Sequence, residues 1–378
     1  MPCKDEEAKK GAAPVASRRN SRRLDEIAQL SGLTVSLLQY DNGSPVVLAL
    51  FLLFAADPSF DEVFRAGLLA LQRNDLPAAE QNLATASRLA PGNARVWVAL
   101  ARTYWKLDRG PEAARAAERA GTLGKADAAV LSSLSIFYAD AGQPLKAADA
   151  EAAYCALTPG DAAARERAEA LYFQAAQPLL ERQRFTEAID ILKQATARLK
   201  DSAQLELALG VAYYGMRRFD DATAAFLRTI AIAPDVERPY VFLGKFLGQI
   251  PARLPEVTAR FVDFEKAHPQ SATGYLLHAK ALNVQSGDAE TARRLLEKAL
   301  ALDELDATAH YEMGVVLDRL ERYEDAVKEL VRSAELDPSE PATHYRLSRL
   351  YDRMGRRDDA SRERELHARL VAAQEAIR

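Results

Sequence analysis

The side chains best suited to metal binding or nucleophilic catalysis are few and widely spaced in this sequence of 378 residues. The two cysteines, Cys3 and Cys155, form no C-x-x-C pair, so neither a zinc ligand set nor a disulfide framework is indicated. The histidines lack the i, i+4 pairing beside a glutamate that metalloproteases use; they are His268, His278, His310, His344 and His367. His310 and His344 occupy the same position of two successive blocks of similar sequence, which favours a packing role in a repeat over metal ligation.

Sequence patterns typical of enzymes are also missing. The sequence contains no glycine-rich phosphate loop, no G-x-S-x-G nucleophile turn and no H-E-x-x-H helix. Carboxylates are plentiful, but they fall on the polar faces of helical stretches, where solvent exposure accounts for them. We therefore expect a protein that is not an enzyme, with no cofactor, no metal and no small-molecule substrate.

Composition favours a folded helical protein. Apolar residues make up 48% of the chain and aromatic residues only 7%, and alanine and leucine dominate the apolar share. This balance is typical of closely packed helices rather than sheets. The formal charge of −4 argues against binding to nucleic acid, because proteins that neutralise phosphates carry a basic excess.

Blocks of similar sequence recur with a period of about 34 residues. The chain divides into nine such blocks, and their closing residues are Pro91, Lys125, Pro159, Lys200, Pro234, Pro269, Glu304 and Pro338. Each block holds two apolar stripes at helical spacing with a polar break between them, such as Lys106 to Gly110. The pattern predicts two antiparallel helices per block, and the closing proline ends one pair because it cannot occupy a helix interior.

Small residues are expected where the two helices of a pair cross. We predict that Gly210 meets Ala222 and that Gly314 meets Ala326, since larger side chains at a close crossing would overpack. No single pair can bury both of its faces, so neighbouring pairs must stack.

The blocks resemble the tetratricopeptide repeat family from about Ser59 to Leu366. The fifth block matches best, with Leu209, Gly210, Tyr213, Phe219, Ala222, Phe226 and Pro234 at family positions. The fourth is the most degenerate, because its first helix lacks the Leu-Gly pair. The resemblance implies an all-α fold, a right-handed α-solenoid of about nine helix-turn-helix repeats, that acts as a non-catalytic scaffold for other proteins.

The resemblance also indicates where a partner would bind, because the first helix of each repeat in this family lines a concave groove. The candidate partner-binding residues are Arg95, Arg102, Trp105, Lys106, Tyr214, Arg238, Phe242, Lys245, Tyr311, Tyr345, Arg346 and Arg349. Aromatic residues and arginines are enriched at binding hot spots, and such a groove suits an extended acidic or carboxylate-bearing polypeptide. The alternative is that these side chains are simply solvated or packed.

One specific partner is not expected from the sequence, and other roles remain open. The clamp that binds chaperone tails in this family needs asparagine at positions where this chain has Leu68, Arg102 and Ile136, so that partner is not expected. A cytoplasmic adaptor, or a regulatory or assembly partner of an enzyme or of a secretion or envelope complex, remains an alternative to an exported scaffold.

The segment 1–57 differs from the repeats. Residues 1–21 form a polar tail without apolar periodicity, which predicts disorder. An uncharged run follows at residues 46–56, VVLALFLLFAA, which is too short to span a bilayer but long enough for a secretory signal. If this run is a signal region, the protein is exported to the periplasm or secreted; otherwise it caps the first repeat of a cytoplasmic protein. Only through this segment would the protein contact a membrane.

We predict five parts: 1–57, repeats 1–3 at 58–160, a helical insertion and repeats 4–6 at 161–268, repeats 7–8 at 269–340, and repeat 9 with a capping helix at 341–378. Asp161 to Ala168 lengthen the first helix of the fourth block, by helix propensity. Pro251 and Pro255 predict a kink or a wide loop between the helices of the sixth block.

Overall fold

The computed structural model describes residues 59–377, so the tail and the apolar run, with the export and capping predictions, lie outside the described residues. Within that range the regular structure is helical, and no strand occurs there. The helices form nine consecutive pairs: α1 Phe60–Gln72 and α2 Leu76–Leu89; α3 Ala94–Lys106 and α4 Gly110–Leu123; α5 Ala128–Asp140 and α6 Pro144–Leu157; α7 Ala162–Glu181 and α8 Phe185–Arg198; α9 Ala203–Gly215 and α10 Phe219–Ile232; α11 Glu237–Gly244 and α12 Leu254–Ala267; α13 Ala272–Val284 and α14 Ala289–Leu302; α15 Ala307–Arg319 and α16 Tyr323–Leu336; α17 Pro341–Arg353 and α18 Arg357–Ile377. The all-α repeat fold expected from the sequence is confirmed.

Polar side chains start many of the first helices. Ser59 forms a capping box with Glu62 at the start of α1, and Asp127 accepts hydrogen bonds from the backbone amides of Ala129 and Val130 at the start of α5. These caps satisfy amides that have no partner inside the helix. The first helices that carry such a cap therefore begin at a defined residue, whereas α11 and α13 begin without a side-chain cap.

The turn within every pair except the sixth passes through one residue with φ between +53° and +73°. These residues are Asn74, Asp108, Gly142, Gln183, Arg217, Ser286, Glu321 and Gly355. The amide that follows each of them closes the preceding helix, as where Arg109 N donates to the Tyr104 carbonyl at 2.9 Å. This shared turn holds the two helices of a pair antiparallel and close.

Alanines occupy the contact between the paired helices. In eight of the nine pairs, one alanine near the start of the second helix is at most 1% exposed. These alanines are Ala79, Ala113, Ala147, Ala188, Ala222, Ala292, Ala326 and Ala360. Their small size permits the helices to approach closely with interior-like packing. The substantial contacts of every helix are with helices one or two positions away in the chain, so the core extends along the array instead of gathering at one centre.

A large ring fills the space at one of the predicted crossings. The position of a Cβ on Gly210 would lie 2.5 Å from Cε1 of Phe226, and the three nearest atoms are all in the Phe226 ring rather than in Ala222. Gly314 does approach the Ala326 carbonyl, at 3.2 Å from such a Cβ, although the Leu330 side chain is nearer. The glycine makes room for a large buried ring one turn further along the second helix.

The two predicted irregularities of the array are confirmed. Helix α7 has 20 residues, against 13 or 14 in most others, and Ala164 and Ala168 of its added turns are buried. The Tyr172 hydroxyl in this helix donates to Asp149 Oδ1 of α6 at 2.7 Å, which joins the third repeat to the fourth. In the sixth pair α11 has only 8 residues, and a 3₁₀ turn at Leu247–Gln249 with the following loop takes the place of the usual tight turn.

Candidate functional site

The first helices of the repeats place side chains at equivalent points along the array. Leu68 of α1, Arg102 of α3 and Ile136 of α5 follow one another at one repeat period, so they occupy the same register. Leu68 and Arg102 both line two adjoining cavities of about 430 and 320 Å³. We call the surface of α1, α3 and α5 around these cavities the N-terminal groove.

Four of the residues predicted from the sequence line this groove, and three of them meet at its larger cavity. Arg102, Trp105 and Lys106 line the larger cavity, with Leu68, Leu71, Gln72, Phe137 and Asp140. The Trp105 ring meets the Phe137 ring edge-on, with centroids 6.4 Å apart. Lys106 donates to Asn74 Oδ1 of the first repeat at 3.2 Å.

Arg95 lies beside the smaller cavity but already has a partner. Its Nη2 atom is 3.3 Å from Asp127 Oδ2 at the start of α5. Because Asp127 also caps α5, this exposed ion pair links the second repeat to the third. Arg95 therefore has less freedom to meet a ligand than Arg102.

The candidates of the fifth and sixth repeats are mostly involved in packing. Tyr214 and Phe242 are half-buried, with ring centroids 5.7 Å apart, and both contact further aromatic rings of this region. The Phe242 ring stacks on the fully buried Phe226 at 5.2 Å, and the Lys245 ammonium lies 5.2 Å from the Phe242 centroid. Arg238 is exposed on α11.

A third cavity, of about 390 Å³ and separate from the groove, lies towards the C-terminal end of the described residues. Its lining includes Lys245, Lys280, Tyr311, Thr343, Asp337 and Glu340, so it carries charges of both signs. Arg346 is exposed on α17, and Arg349 donates to the Tyr345 hydroxyl at 3.2 Å. Of the predicted residues, only Lys245 and Tyr311 line this cavity.

A buried carboxylate, Glu312, lies next to Lys280 of this third cavity. Glu312 of α15 is only 5% exposed, and it accepts a hydrogen bond from Asn283 Nδ2 at 2.8 Å, with the Lys280 ammonium 3.8 Å away. Burial raises the pKa of Glu312, and the nearby Lys280 and Asn283 only partly oppose that rise. The residue holds α13 against α15.

Three of the five histidines, His278, His310 and His344, contact glutamates. His310 Nδ1 lies 2.6 Å from Glu329 Oε2, and His344 Nδ1 lies 2.7 Å from Glu363 Oε2, each within its own repeat. These contacts agree with the packing role predicted for both. Among residues 59–377 no group of three or more histidine, cysteine or acidic side chains is arranged to hold a metal ion.

Leu68, Leu71 and Phe137 line the N-terminal groove, but the sequence did not single them out as partner-binding residues. In the sequence, Leu68 and Ile136 are notable only because they stand where the chaperone-tail clamp has asparagine. Their separation from Arg102 by one repeat period was the signal that could have placed them on the same surface.

Two family models, both described as tetratricopeptide repeat, match the chain: one at residues 264–341, and the other at 70–136 and 179–242. Together they cover more than half of it. The chain belongs to the tetratricopeptide repeat family. Proteins of this family generally serve as scaffolds for other proteins, which is the coarse function that the match supports.

The chain is also similar to several solved structures, each with a TM-score under 0.5. A Pseudomonas aeruginosa protein titled pilF is 20% identical and covers 53% of this chain and 90% of its own, with a TM-score of 0.43. PilW, titled a type IV pilus biogenesis factor, is 18% identical over 53% of this chain and 92% of its own, at 0.45. YrrB, titled a TPR protein with an unusual peptide-binding site, is 16% identical over 46% and 88%, at 0.37. Likenesses this distant do not bear on what the chain binds. The comparison with curated proteins gives no match.

Proposed function

We propose that the protein is a non-catalytic scaffold that holds an extended partner polypeptide along the surface formed by its first helices. The observation that supports this most directly is the N-terminal groove, where first helices of three successive repeats contribute to adjoining cavities. A row of equivalent positions, one in each successive repeat, suits an extended chain, which can contact one repeat after another.

Apolar exposure in the groove supports the same role. Leu68 is 42% exposed and Trp105 is 39% exposed, and both line the larger cavity. Large apolar side chains that cluster in a surface cavity are typical of binding sites, because they gain free energy when a ligand covers them. Aromatic anchors of this kind often dominate binding energy.

The test compares two matched variants of the full-length protein. Leu68→Asp places a charge inside the groove, whereas Leu89→Asp places one at the end of α2 in the same repeat, where the leucine is similarly exposed at 48%. Peptides selected from a random display library on the wild-type protein should lose at least tenfold in affinity for Leu68→Asp and keep it for Leu89→Asp. Equal loss in both variants, or selection of no peptide at all, would contradict the proposal.

The natural partner can be sought with the same pair. Affinity purification with mass spectrometry should recover a protein that Leu89→Asp retains and Leu68→Asp loses. If that protein is an enzyme, or a component of a secretion or envelope complex, the regulatory or assembly role is the correct version of the function.

We also propose that residues 46–56 direct export, so that the scaffold works outside the cytoplasm. The run of eleven uncharged, mostly large apolar residues after a basic leader supports this. No helix within residues 59–377 is long and apolar enough to cross a membrane.

A further inference from the structure

Arg102 is the charged residue at the centre of the N-terminal groove. It is half-buried on α3 and lines both adjoining cavities, between Leu68 and Leu71 of the first repeat and the α5 residues of the third. A guanidinium group keeps its charge in such surroundings and offers several donors in one plane.

No carboxylate within the described part of the chain forms a salt bridge with Arg102. Its neighbours differ in this respect: Arg95 pairs with Asp127, and Arg109 pairs with Glu80 at 2.7 Å and with Glu112 at 3.0 Å. Asp140 lies on the lining of the larger cavity without reaching salt-bridge distance of Arg102. A cation so placed is available to an anionic ligand.

The walls beside Arg102 are apolar. The exposed side chains of Leu68 and Trp105 and the largely buried Phe137 all line the larger cavity. An arginine next to an open apolar surface matches a ligand that carries a carboxylate beside an apolar side chain, because each part then meets its complement.

We propose that the N-terminal groove binds an extended acidic segment of a partner protein, whose carboxylate pairs with Arg102 while a neighbouring apolar or aromatic side chain packs against the exposed Leu68 and Trp105. This inference rests on the scaffold function proposed above and specifies the chemistry of its ligand. Charge complementarity selects this occupant over a basic or purely apolar one.

The third cavity, of about 390 Å³, lacks this preference for an acidic ligand. Its lysines, Lys245 and Lys280, share the lining with Asp337 and Glu340, and Glu312 lies 3.8 Å from Lys280. The larger cavity of the groove has two cationic side chains, Arg102 and Lys106, against one carboxylate, Asp140, whereas here two lysines meet two carboxylates on the lining. Preference for an acidic segment is therefore assigned to the N-terminal groove.

Trp105 provides a direct reporter of occupancy. The sequence has two tryptophans. The other, Trp97, donates from Nε1 to the Pro91 carbonyl at 3.1 Å and lies under the Arg119 guanidinium, away from both cavities. In the full-length variant Trp97→Phe, emission comes from Trp105 alone, and a bound apolar side chain should shift that emission to shorter wavelength.

The experiment selects dodecapeptides from a random display library on the full-length protein and titrates the enriched peptides by Trp105 emission. Enriched sequences should combine an acidic residue with a nearby apolar or aromatic residue. Arg102→Gln should weaken their binding by about ten- to a hundredfold, as expected for loss of a charge-assisted hydrogen bond. Arg115→Gln, which changes an exposed arginine on α4 of the same repeat, should leave binding unchanged.

Three other results would overturn part or all of the proposal. Peptides that bind in a Leu68-dependent way but are basic or uncharged, or that bind Arg102→Gln as well as wild type, would overturn the acidic preference and leave the scaffold function standing. Absence of any Leu68-dependent peptide would overturn both. A Trp105 shift that follows protein concentration without peptide, together with a dimer in sedimentation, would replace the proposed occupant with a second copy of this chain.

Discussion

Gly210 lies directly beneath the ring of Phe226, so close that a Cβ at this glycine would be 2.5 Å from the ring carbon Cε1. Phe226 is fully buried and stacks on Phe242 of the next repeat. The contact therefore connects the spacing of α9 and α10 to the packing of the sixth repeat against the fifth.

Gly210→Ala is expected to destabilise the protein by about 1 to 3 kcal/mol, because the buried ring cannot move aside without disturbing its neighbours. Urea unfolding measures the change in unfolding free energy. Gly92→Ala is the control, since no atom lies within 4 Å of a Cβ there. Equal stability of the two variants would show that the Phe226 contact is looser than described.

Ala222→Leu tests the close crossing of the same pair. Ala222 is completely buried in α10, so a larger side chain must displace its surroundings, and we expect a lower melting temperature. Ala231→Leu in the same helix is exposed and should change little. An unchanged melting temperature for Ala222→Leu would contradict the register assigned to this repeat.

Glu312 should make stability depend on pH in a defined direction. Its pKa in the folded protein is raised above the ordinary value of 4.5, chiefly by burial. A raised acid pKa means that the folded state holds the proton more tightly than the unfolded state. The resulting contribution to stability is fully present below pH 4.5 and is lost as the pH rises through the folded-state pKa.

Glu312→Gln removes this titration while it keeps a side chain that can accept from Asn283. Melting temperatures of wild type and variant, measured from pH 4 to 8, should therefore move apart in favour of the variant as the pH rises. Each unit of pKa elevation corresponds to about 1.4 kcal/mol of unfolding free energy. Parallel curves over the whole range would refute the raised pKa.

Export can be tested with the segment alone. Fusion of residues Met1 to Asp61 to a reporter that is active only outside the cytoplasm should give activity, since residues 46–56 have the length of a signal region. A fusion with two aspartates placed within the run should be silent. Silence of the unmodified fusion as well would overturn the export proposal.

Periodicity predicted the helix pairs because each repeat restates the same apolar spacing, and alanine-rich sequence predicted the long α7. The Phe226 ring beside Gly210 was not predicted, because spacing alone does not tell which side chain of the facing helix fills the gap; that depends on ring size and rotamer at Phe226. Two prolines predicted the loop of the sixth repeat, but not that α11 would stop after 8 residues.

The candidate groove was harder to predict than the fold. Family positions selected Arg102 and Trp105, which both line the larger cavity of the N-terminal groove. They also selected Tyr214 and Phe242, whose rings pack on one another in the structure. Whether an aromatic side chain lines a groove or fills a core depends on contacts between repeats, and these cannot be read from one repeat at a time.

The purely local pattern of helix contacts also bears on how such a protein changes over generations. Duplication of the gene segment that encodes one helix pair would insert a copy between neighbours whose faces already match it. Loss of one pair would bring together two faces of the same kind. The reach of the molecule can therefore lengthen or shorten in single genetic events, without the coordinated substitutions that a globular core would demand.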